Sequence, residues 1–295
     1  VVFDLFSPRL FRPPAEADSM IVRVAQGCPH NTCVFCGMYK GVAYRPAPLE
    51  QMLRQVRKAV RGEPDARRVF LADGDVMALE FAALRDVLAA LNAGLPELTR
   101  VSVYANGSSI LAKTDEQLTE LRTLKLHTLY MGLETGDDSI LREMEKSEVV
   151  SDMVEAGRRA QACGLRMSVM VLLGLGGQQR SETHAAATAE AINRMQPRLL
   201  SVLRLVPTEN TPLWRRIKAG TFTPVTEYEA VCELRRLIAG LELQSTVFRA
   251  NHVSNVLPLE GRLPRDKAGL LALLDGLLNS DTLDRNSPGV TPLWL

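Results

Sequence analysis

Short β-branched or apolar runs alternate along this chain with longer stretches of helical periodicity. The runs at 20–25, 68–72, 100–105, 127–132, 166–173 and 199–206 predict strands. Between them, apolar residues recur at i, i+3/i+4 and i+7. The sets are Leu49, Met52, Val56 and Val60; Leu84, Val87, Leu88 and Leu91; and Leu118, Leu121 and Leu124. They continue with Ala187, Ala191 and Met195, then Val231, Leu234, Ile238 and Leu241. Each set gives a helix one apolar stripe to lay on a sheet. Pro48 suits the start of the first helix, and Thr114 with Gln117 reads as a capping box for the third.

Six βα repeats predict parallel strands joined by right-handed crossovers. A closed eight-fold barrel takes about 250 residues and two more repeats than are visible here. An open doubly wound sheet and a partial barrel both remain, and in either one sites form at the carboxyl ends of the strands. Beyond Leu243 a further strand is expected at 244–249 and a leucine-rich helix at 266–278, while the end from Ser287-Pro288-Gly289 reads as a loose tail.

Composition narrows the setting. With 295 residues, 46% of them hydrophobic, the chain can bury a large core as one big domain or two small ones. A net charge of +1 gives no global field for nucleic acid or anionic membrane, and 5% aromatic content is thin for a base-stacking platform. No apolar stretch approaches the roughly 20 residues of a membrane span. The first residues lack the architecture of a signal peptide. Five cysteines, three of them clustered, do not make a disulfide framework, so a reducing cytoplasm is the expected location.

The clustered cysteines carry the chemistry. They occupy Gln26-Gly27-Cys28-Pro29-His30-Asn31-Thr32-Cys33-Val34-Phe35-Cys36-Gly37, a Cys-x4-Cys-x2-Cys spacing directly after the first strand. Structural zinc and ordinary iron–sulfur sites recruit four protein ligands, so three close thiolates point to a metal centre with one open position. A zinc knuckle completed by His30 or a distant residue is the bland alternative; His30 otherwise orients the loop.

This segment resembles the radical S-adenosylmethionine enzymes, in which three cysteines hold a [4Fe–4S] cluster after the first strand of a six-fold partial barrel. The resemblance implies an α/β fold, a partial (β/α)6 TIM-like barrel. It would have an N-terminal extension at 1–19, a core at 20–243 and a strand/helix extension at 244–295 that closes the barrel. It implies two cofactors, a [4Fe–4S] cluster on Cys28, Cys33 and Cys36 and S-adenosylmethionine bound at the fourth iron. Reductive cleavage of the latter releases a 5′-deoxyadenosyl radical that abstracts hydrogen from substrate. Phe35 stands where the family places an aromatic residue beside the adenine. The commonest family spacing has three residues between the first two cysteines, whereas four separate Cys28 from Cys33.

Later positions extend the match over roughly residues 20–240. Asp73-Gly74-Asp75 stands where the family carries a Gly-Gly-Glu type turn that holds the cofactor's amino group, with Asp73 in place of the first glycine. Leu133-Glu134-Thr135-Gly136 is similar to a segment of oxygen-independent coproporphyrinogen oxidases and methylthiotransferases, and implies Glu134 as an acceptor for the amino group or ribose. Gly174, in Leu173-Gly174-Leu175-Gly176-Gly177, matches the adenine-binding turn, and Arg204, near the end of the sixth strand, is expected on the substrate side or paired with the cofactor carboxylate. Each of these also has a plain reading as a cap, a turn or a dipole complement.

Substrate contacts are expected from Tyr104 and Asn106 at the end of the third strand, and from Arg249, Asn251, His252 and Asn255 in a polar run of the tail. The alternative for that run is a satisfied structural turn. A single cysteine cluster argues against an auxiliary iron–sulfur centre. The favoured reading is a freestanding enzyme acting on a small molecule and drawing electrons from a flavodoxin or ferredoxin, with no membrane partner. RNA or peptide modification stands behind it; the basic face of Arg54, Arg57, Lys58, Arg61, Arg67 and Arg68 is otherwise a solvated helix surface. Two readings from other classes are a non-catalytic iron–sulfur carrier or sensor and a zinc-stabilised binding protein.

Overall fold

The computed structural model describes residues 10–289. A short 3-10 turn at Pro14–Glu16 precedes β1 (Met20–Arg23), β2 (Ala25–Gln26), β3 (Arg45–Pro46) and α1 (Leu49–Gly62). Then come β4 (Arg68–Ala72), α2 (Phe81–Gly94), β5 (Arg100–Ala105), α3 (Gly107–Leu111), α4 (Asp115–Thr123) and β6 (Leu126–Glu134). The chain continues through α5 (Asp138–Glu143), α6 (Val150–Ala162), β7 (Arg166–Leu173), α7 (Gly177–Met195) and β8 (Leu199–Arg204). It finishes with α8 (Pro212–Lys218), α9 (Glu227–Gly240), β9 (Thr246–Arg249), β10 (Glu260–Leu263) and α10 (Lys267–Leu278).

Two compact units emerge among the described residues, one of residues 10–31, Met38–Met131 and Ala156–Met167, the other of Thr32–Gly37, Gly132–Glu155 and residues 168–289. In the first, β1, β4, β5 and β6 run parallel in that order. Their cores read as apolar because both faces are covered: Phe70, Leu71, Val101 and Val103 have no exposed surface, and neither do Leu84, Val87, Leu88 and Leu91 of α2. Each such side chain contributes about 1.5–3 kcal/mol. Thr114 caps α4 as expected, accepting from Gln117 N–H at 3.2 Å while Gln117 Oε1 accepts from Thr114 N–H at 3.1 Å. The expected strand at 20–25 is broken at Val24. Its N–H still donates to Ala72 of β4 at 2.8 Å, but its carbonyl accepts from Ala47 at 3.0 Å. Beyond it β2 pairs antiparallel with β3, so a two-residue ladder clamps both ends of the cysteine loop. Glu16 is buried, accepting from the Tyr130 hydroxyl at 2.7 Å and the Ser19 hydroxyl at 2.5 Å, with Arg100 3.7 Å away.

In the second unit β7, β8 and β9 are parallel, and β10 returns antiparallel to β9. The strand expected at 244–249 is thus present as β9, and the 266–278 helix as α10. The polar segment Glu260-Gly261-Arg262-Leu263 gave no strand signal, because an edge strand needs only one neighbour and little apolar surface. The buried stripe of α7 is rotated from the expected Ala187, Ala191 and Met195: Ser181, His184, Ala185, Thr188 and Ile192 face inward with Ala191 and Met195, while Ala187 is half-exposed. Among the described residues, no helix is long and apolar enough to cross a membrane.

Candidate functional site

The cysteine loop leaves β2 through Gly27, whose φ of +78° suits glycine. Gly27 carbonyl accepts from Gly74 N–H at 3.1 Å, so the loop is sewn to the turn after β4. A Cβ on Gly74 would sit 2.7 Å from Cys28 Cβ and 3.0 Å from Gly27 O, so only glycine lets the turn approach the first cysteine. Asp73 is buried, accepting from the Tyr39 hydroxyl at 2.7 Å and Gly27 N–H at 3.3 Å, with Arg23 3.8 Å away. Burial pushes its carboxyl above the usual range, against the lowering effects of Tyr39, Arg23 and Gly27. Asp75 is also buried, accepting from Asn106 Nδ2 and the Ser109 hydroxyl, each at 3.0 Å, with His30 Nε2 3.6 Å away. Both aspartates are therefore held by the protein itself, and His30 orients the loop toward Asp75. Asn31 Nδ2 adds bonds to the Tyr39 and Val42 carbonyls at 2.6 and 3.1 Å.

One consequence is measurable. Tyr39→Phe removes a hydrogen bond to a buried charged group, at a cost of about 1.5–3 kcal/mol. A raised carboxyl pKa means stability is full below the unfolded value and is lost as pH rises through the folded one. The variant raises Asp73 further, so its thermal unfolding temperature falls more steeply than wild type as pH rises above the ordinary carboxylate range. A parallel pH dependence in the two proteins would contradict this.

In the second unit, the loop residues Thr32–Gly37 are pinned through Val34, which the sequence did not single out. Val34 N–H donates to Met144 carbonyl at 3.0 Å, and Val34 carbonyl accepts from Leu213 N–H at 3.0 Å. Its side chain joins Ile140, Met144, Leu175, Leu213 and Phe222 in an apolar cluster, on which Phe35 packs half-buried. Thr32 donates to Glu145 carbonyl at 2.9 Å, and Asn210 Nδ2 donates to Gly37 carbonyl at 3.1 Å. Glu134 ends β6 at φ +65°, a left-handed conformation that a side-chain-bearing residue adopts under constraint. Lys146, buried and unforeseen, lies 3.7 Å from Glu134 Oε1; burial raises the Glu134 pKa and Lys146 opposes it. Gly174 turns at φ +80°, where a Cβ would meet Val225 at 2.8 Å.

The remaining predicted residues fall in different surroundings. Tyr104 packs edge-on against Phe70 and Tyr130, with ring centroids 5.2 and 6.2 Å away, and burial raises its pKa. Asn106 caps α3 besides holding Asp75. Arg204 is buried at the end of β8, and its Nη1 donates to Pro288 carbonyl at 2.8 Å. His252 Nδ1 lies 2.8 Å from Ser254 Oγ, which accepts from Arg204 N–H at 3.1 Å. Asn255 Nδ2 donates to the Val202 and Ala250 carbonyls at 2.8 and 3.0 Å. Residues 252–255 thus tie the tail to β8. Arg249 lies on β9 opposite Ser201 and Glu260, and Asn251 is exposed.

The loop has features that fit a cofactor. All five cysteines are outside disulfides, and Cys33 is buried. Tyr44 Oη is buried with no hydrogen-bond partner among the described residues, and its pKa is pushed up to about 12 by burial and then by Asp75 and Cys28 nearby. An orphaned hydroxyl beside the first cysteine, and a glycine turn pressed onto that cysteine, suit a group bearing hydrogen-bond acceptors. Among the described residues, no three His, Cys, Asp or Glu side chains gather as a cage for one metal ion. An iron–sulfur cube takes each thiolate on its own iron, so its donors need not converge on one point.

Residues 22–188, more than half of the chain, match the family model of the radical SAM superfamily. The heme chaperone HemW of Bacillus subtilis is 24% identical over 215 residues, covering 69% of this chain and 55% of that protein. The hopanoid C-2 methylase of Rhodopseudomonas palustris is 26% identical over 210 residues, covering 67% and 37%. The chain therefore spans about half the length of the first relative and little over a third of the second. Among solved structures, coproporphyrinogen III oxidase HemN of Escherichia coli superposes with a TM-score of 0.58 at 16% identity, over 75% of this chain and 51% of that one. The methyltransferase TsrM of Kitasatospora setae gives 0.57 at 16% identity, over 68% and 39%. These likenesses establish an α/β fold of the partial-barrel kind, and the matched model makes this chain a member of the radical SAM superfamily, the enzymes that work with a [4Fe–4S] cluster and S-adenosylmethionine.

Proposed function

We propose that Cys28, Cys33 and Cys36 hold a [4Fe–4S] cluster and that the chain cleaves S-adenosylmethionine reductively to abstract hydrogen from a small-molecule substrate. The observation that carries this reading is the seam between Gly74 and Gly27–Cys28, with its missing Cβ 2.7 Å from Cys28. It ties the loop of the first thiolate to the turn expected to hold the cofactor's amino group. When bound, the cluster and S-adenosylmethionine supply the electron and the carbon radical. The chain supplies position.

Gly74 gives backbone groups to the amino end of the cofactor, and Asp73 and Asp75 set its turn through Tyr39, Gly27, Asn106 and Ser109. The Tyr44 hydroxyl donates to an acceptor beside Cys28. Glu134, paired with Lys146, accepts from the amino group or ribose, Gly174 lets the chain turn at positive φ against Val225 beside the adenine, and Phe35 covers the ring. Arg204 takes an oxygen acceptor, which Pro288 provides in this structure and a carboxylate would match. Tyr104, Asn106, Arg249, Asn251, His252 and Asn255 are assigned to the substrate side. Residues 20–243 form the working core and 244–295 its closing extension, with a flavodoxin or ferredoxin as electron donor in the cytoplasm.

Anaerobically purified protein is expected to be brown, to contain iron and sulfide, and to convert S-adenosylmethionine to 5′-deoxyadenosine and methionine once reduced. A brown protein that leaves S-adenosylmethionine intact under every reductant is a carrier or sensor; a colourless zinc protein is a binding module. Either result ends this proposal.

A further inference from the structure

A buried polar cluster carried by α7 and α9 joins the turns that follow β6 and β7. The Glu233 carboxylate has no exposed surface. Its Oε1 accepts from Gly174 N–H at 2.6 Å, and its Oε2 accepts from the Ser181 hydroxyl. His184 Nε2 lies 3.4 Å from the same Oε1. The other ring nitrogen, Nδ1, is 2.7 Å from Thr135 Oγ1 and 3.5 Å from Thr188 Oγ1. Thr135 Oγ1 accepts from Asp137 N–H at 3.1 Å, and Thr188 Oγ1 accepts from Gly136 N–H at 2.9 Å. The carboxylate thus holds Gly174 N–H, the imidazole holds Thr135 and Thr188 beneath Asp137 and Gly136, and the two side chains meet by packing of Nε2 on Oε1 with no hydrogen bond between them.

Both turns are seated without slack. A Cβ on Gly136 would lie 2.1 Å from Ala187 carbonyl oxygen, and one on Gly174 would lie 2.8 Å from Val225. Apolar side chains of similar volume hold two helices together at lower desolvation cost than a buried carboxylate. What the carboxylate adds is direction, since its two oxygens fix where the Gly174 N–H and the Ser181 O–H must be.

We propose that Glu233 and His184 are positioning residues that set the spacing between the Glu134 turn and the Gly174 turn, so that both meet the nucleoside part of S-adenosylmethionine together. This rests on the reading of Glu134 and Gly174 as cofactor contacts. The charged groups that face the pair are Arg236 and Glu229 of α9, Arg180 of α7 and Asp137 of the β6 turn. Burial pushes Glu233 up to about 7, against the Ser181 and Gly174 hydrogen bonds, and burial holds His184 down at about 4. The imidazole is neutral near pH 7, whereas Glu233 changes charge there. An ionised Glu233 accepts both donors; once protonated, one oxygen becomes a donor and Ser181 must reverse to receive it.

The test is calorimetric titration of S-adenosylhomocysteine into reconstituted wild-type, Glu233→Gln and Glu233→Ala proteins at pH 6, 7 and 8, with iron content measured for each. Wild-type affinity is expected to tighten severalfold from pH 6 to 8. Glu233→Gln keeps the shape but not the titration, so its affinity stays flat with pH. Glu233→Ala frees the Gly174 donor and weakens binding about tenfold at unchanged iron content. Should Glu233→Ala fail to fold, the Gln variant decides: a pH profile like wild type overturns the proposal. Variants that bind as wild type does remove this inference alone. A wild-type protein that does not bind the probe removes the cofactor reading of Glu134 and Gly174, and this inference with it.

Discussion

Replacing Cys28, Cys33 or Cys36 singly by alanine is expected to strip the protein of most of its iron and to lower 5′-deoxyadenosine formation by at least about 10³-fold, some 4 kcal/mol of barrier. Three thiolates are the whole protein ligand set in the proposed site, and among the described residues no further His, Cys, Asp or Glu side chains gather with them, so losing one frees an iron. Because the three act as one unit, double and triple variants are expected to be no worse than singles. Cys163 and Cys232 supply the control. The first donates its thiol to Asp115 carbonyl at 3.6 Å and the second lies on α9, so serine at either position leaves iron content unchanged. A Cys33→Ala protein with full iron and full turnover would refute the ligand assignment.

The second large effect is expected from one methyl group. Gly74→Ala places a Cβ 2.7 Å from Cys28 Cβ, 2.9 Å from a Tyr39 ring carbon and 3.0 Å from Gly27 O. The nearest atom is the root of a cysteine side chain and the third is backbone, so neither swings aside as a long side chain would. Overpacking of this kind costs about 1–3 kcal/mol. Here the strain falls on the cysteine loop, so iron loading is expected to drop severalfold while the circular dichroism spectrum is kept. A Gly74→Ala protein that loads iron like wild type would show the seam to be slack.

How much of this was readable in advance follows from burial. The strands at 68–72, 100–105 and 166–173 coincide with β4, β5 and β7, because parallel strands covered on both faces are written as apolar runs. The capping box of Thr114 was readable because it is local. The short helices α5 and α8 were not, although Asp137 and Thr211 cap them, since a few residues give no periodicity. In the site, the cysteines and the Gly74, Glu134 and Gly174 turns were visible as motifs. Val34, Tyr44 and Lys146 were not, because what distinguishes them is contact with distant segments. Glu233 and His184 did leave a signal: each sits at an inward position of its helix, between Ala230 and Leu234, and between Ser181 and Thr188. A charged or polar residue in a buried stripe needs a partner, and the sequence does not say which one.

The proposed iron–sulfur cube is anchored by three cysteines, with one iron left to S-adenosylmethionine. Mössbauer spectroscopy of ⁵⁷Fe-reconstituted protein, recorded before and after S-adenosylmethionine is added, tests this most directly. One distinct iron is expected whose signature changes when S-adenosylmethionine is added, while the others stay as they were. A cluster in which every iron is equivalent and unaffected by S-adenosylmethionine would contradict it.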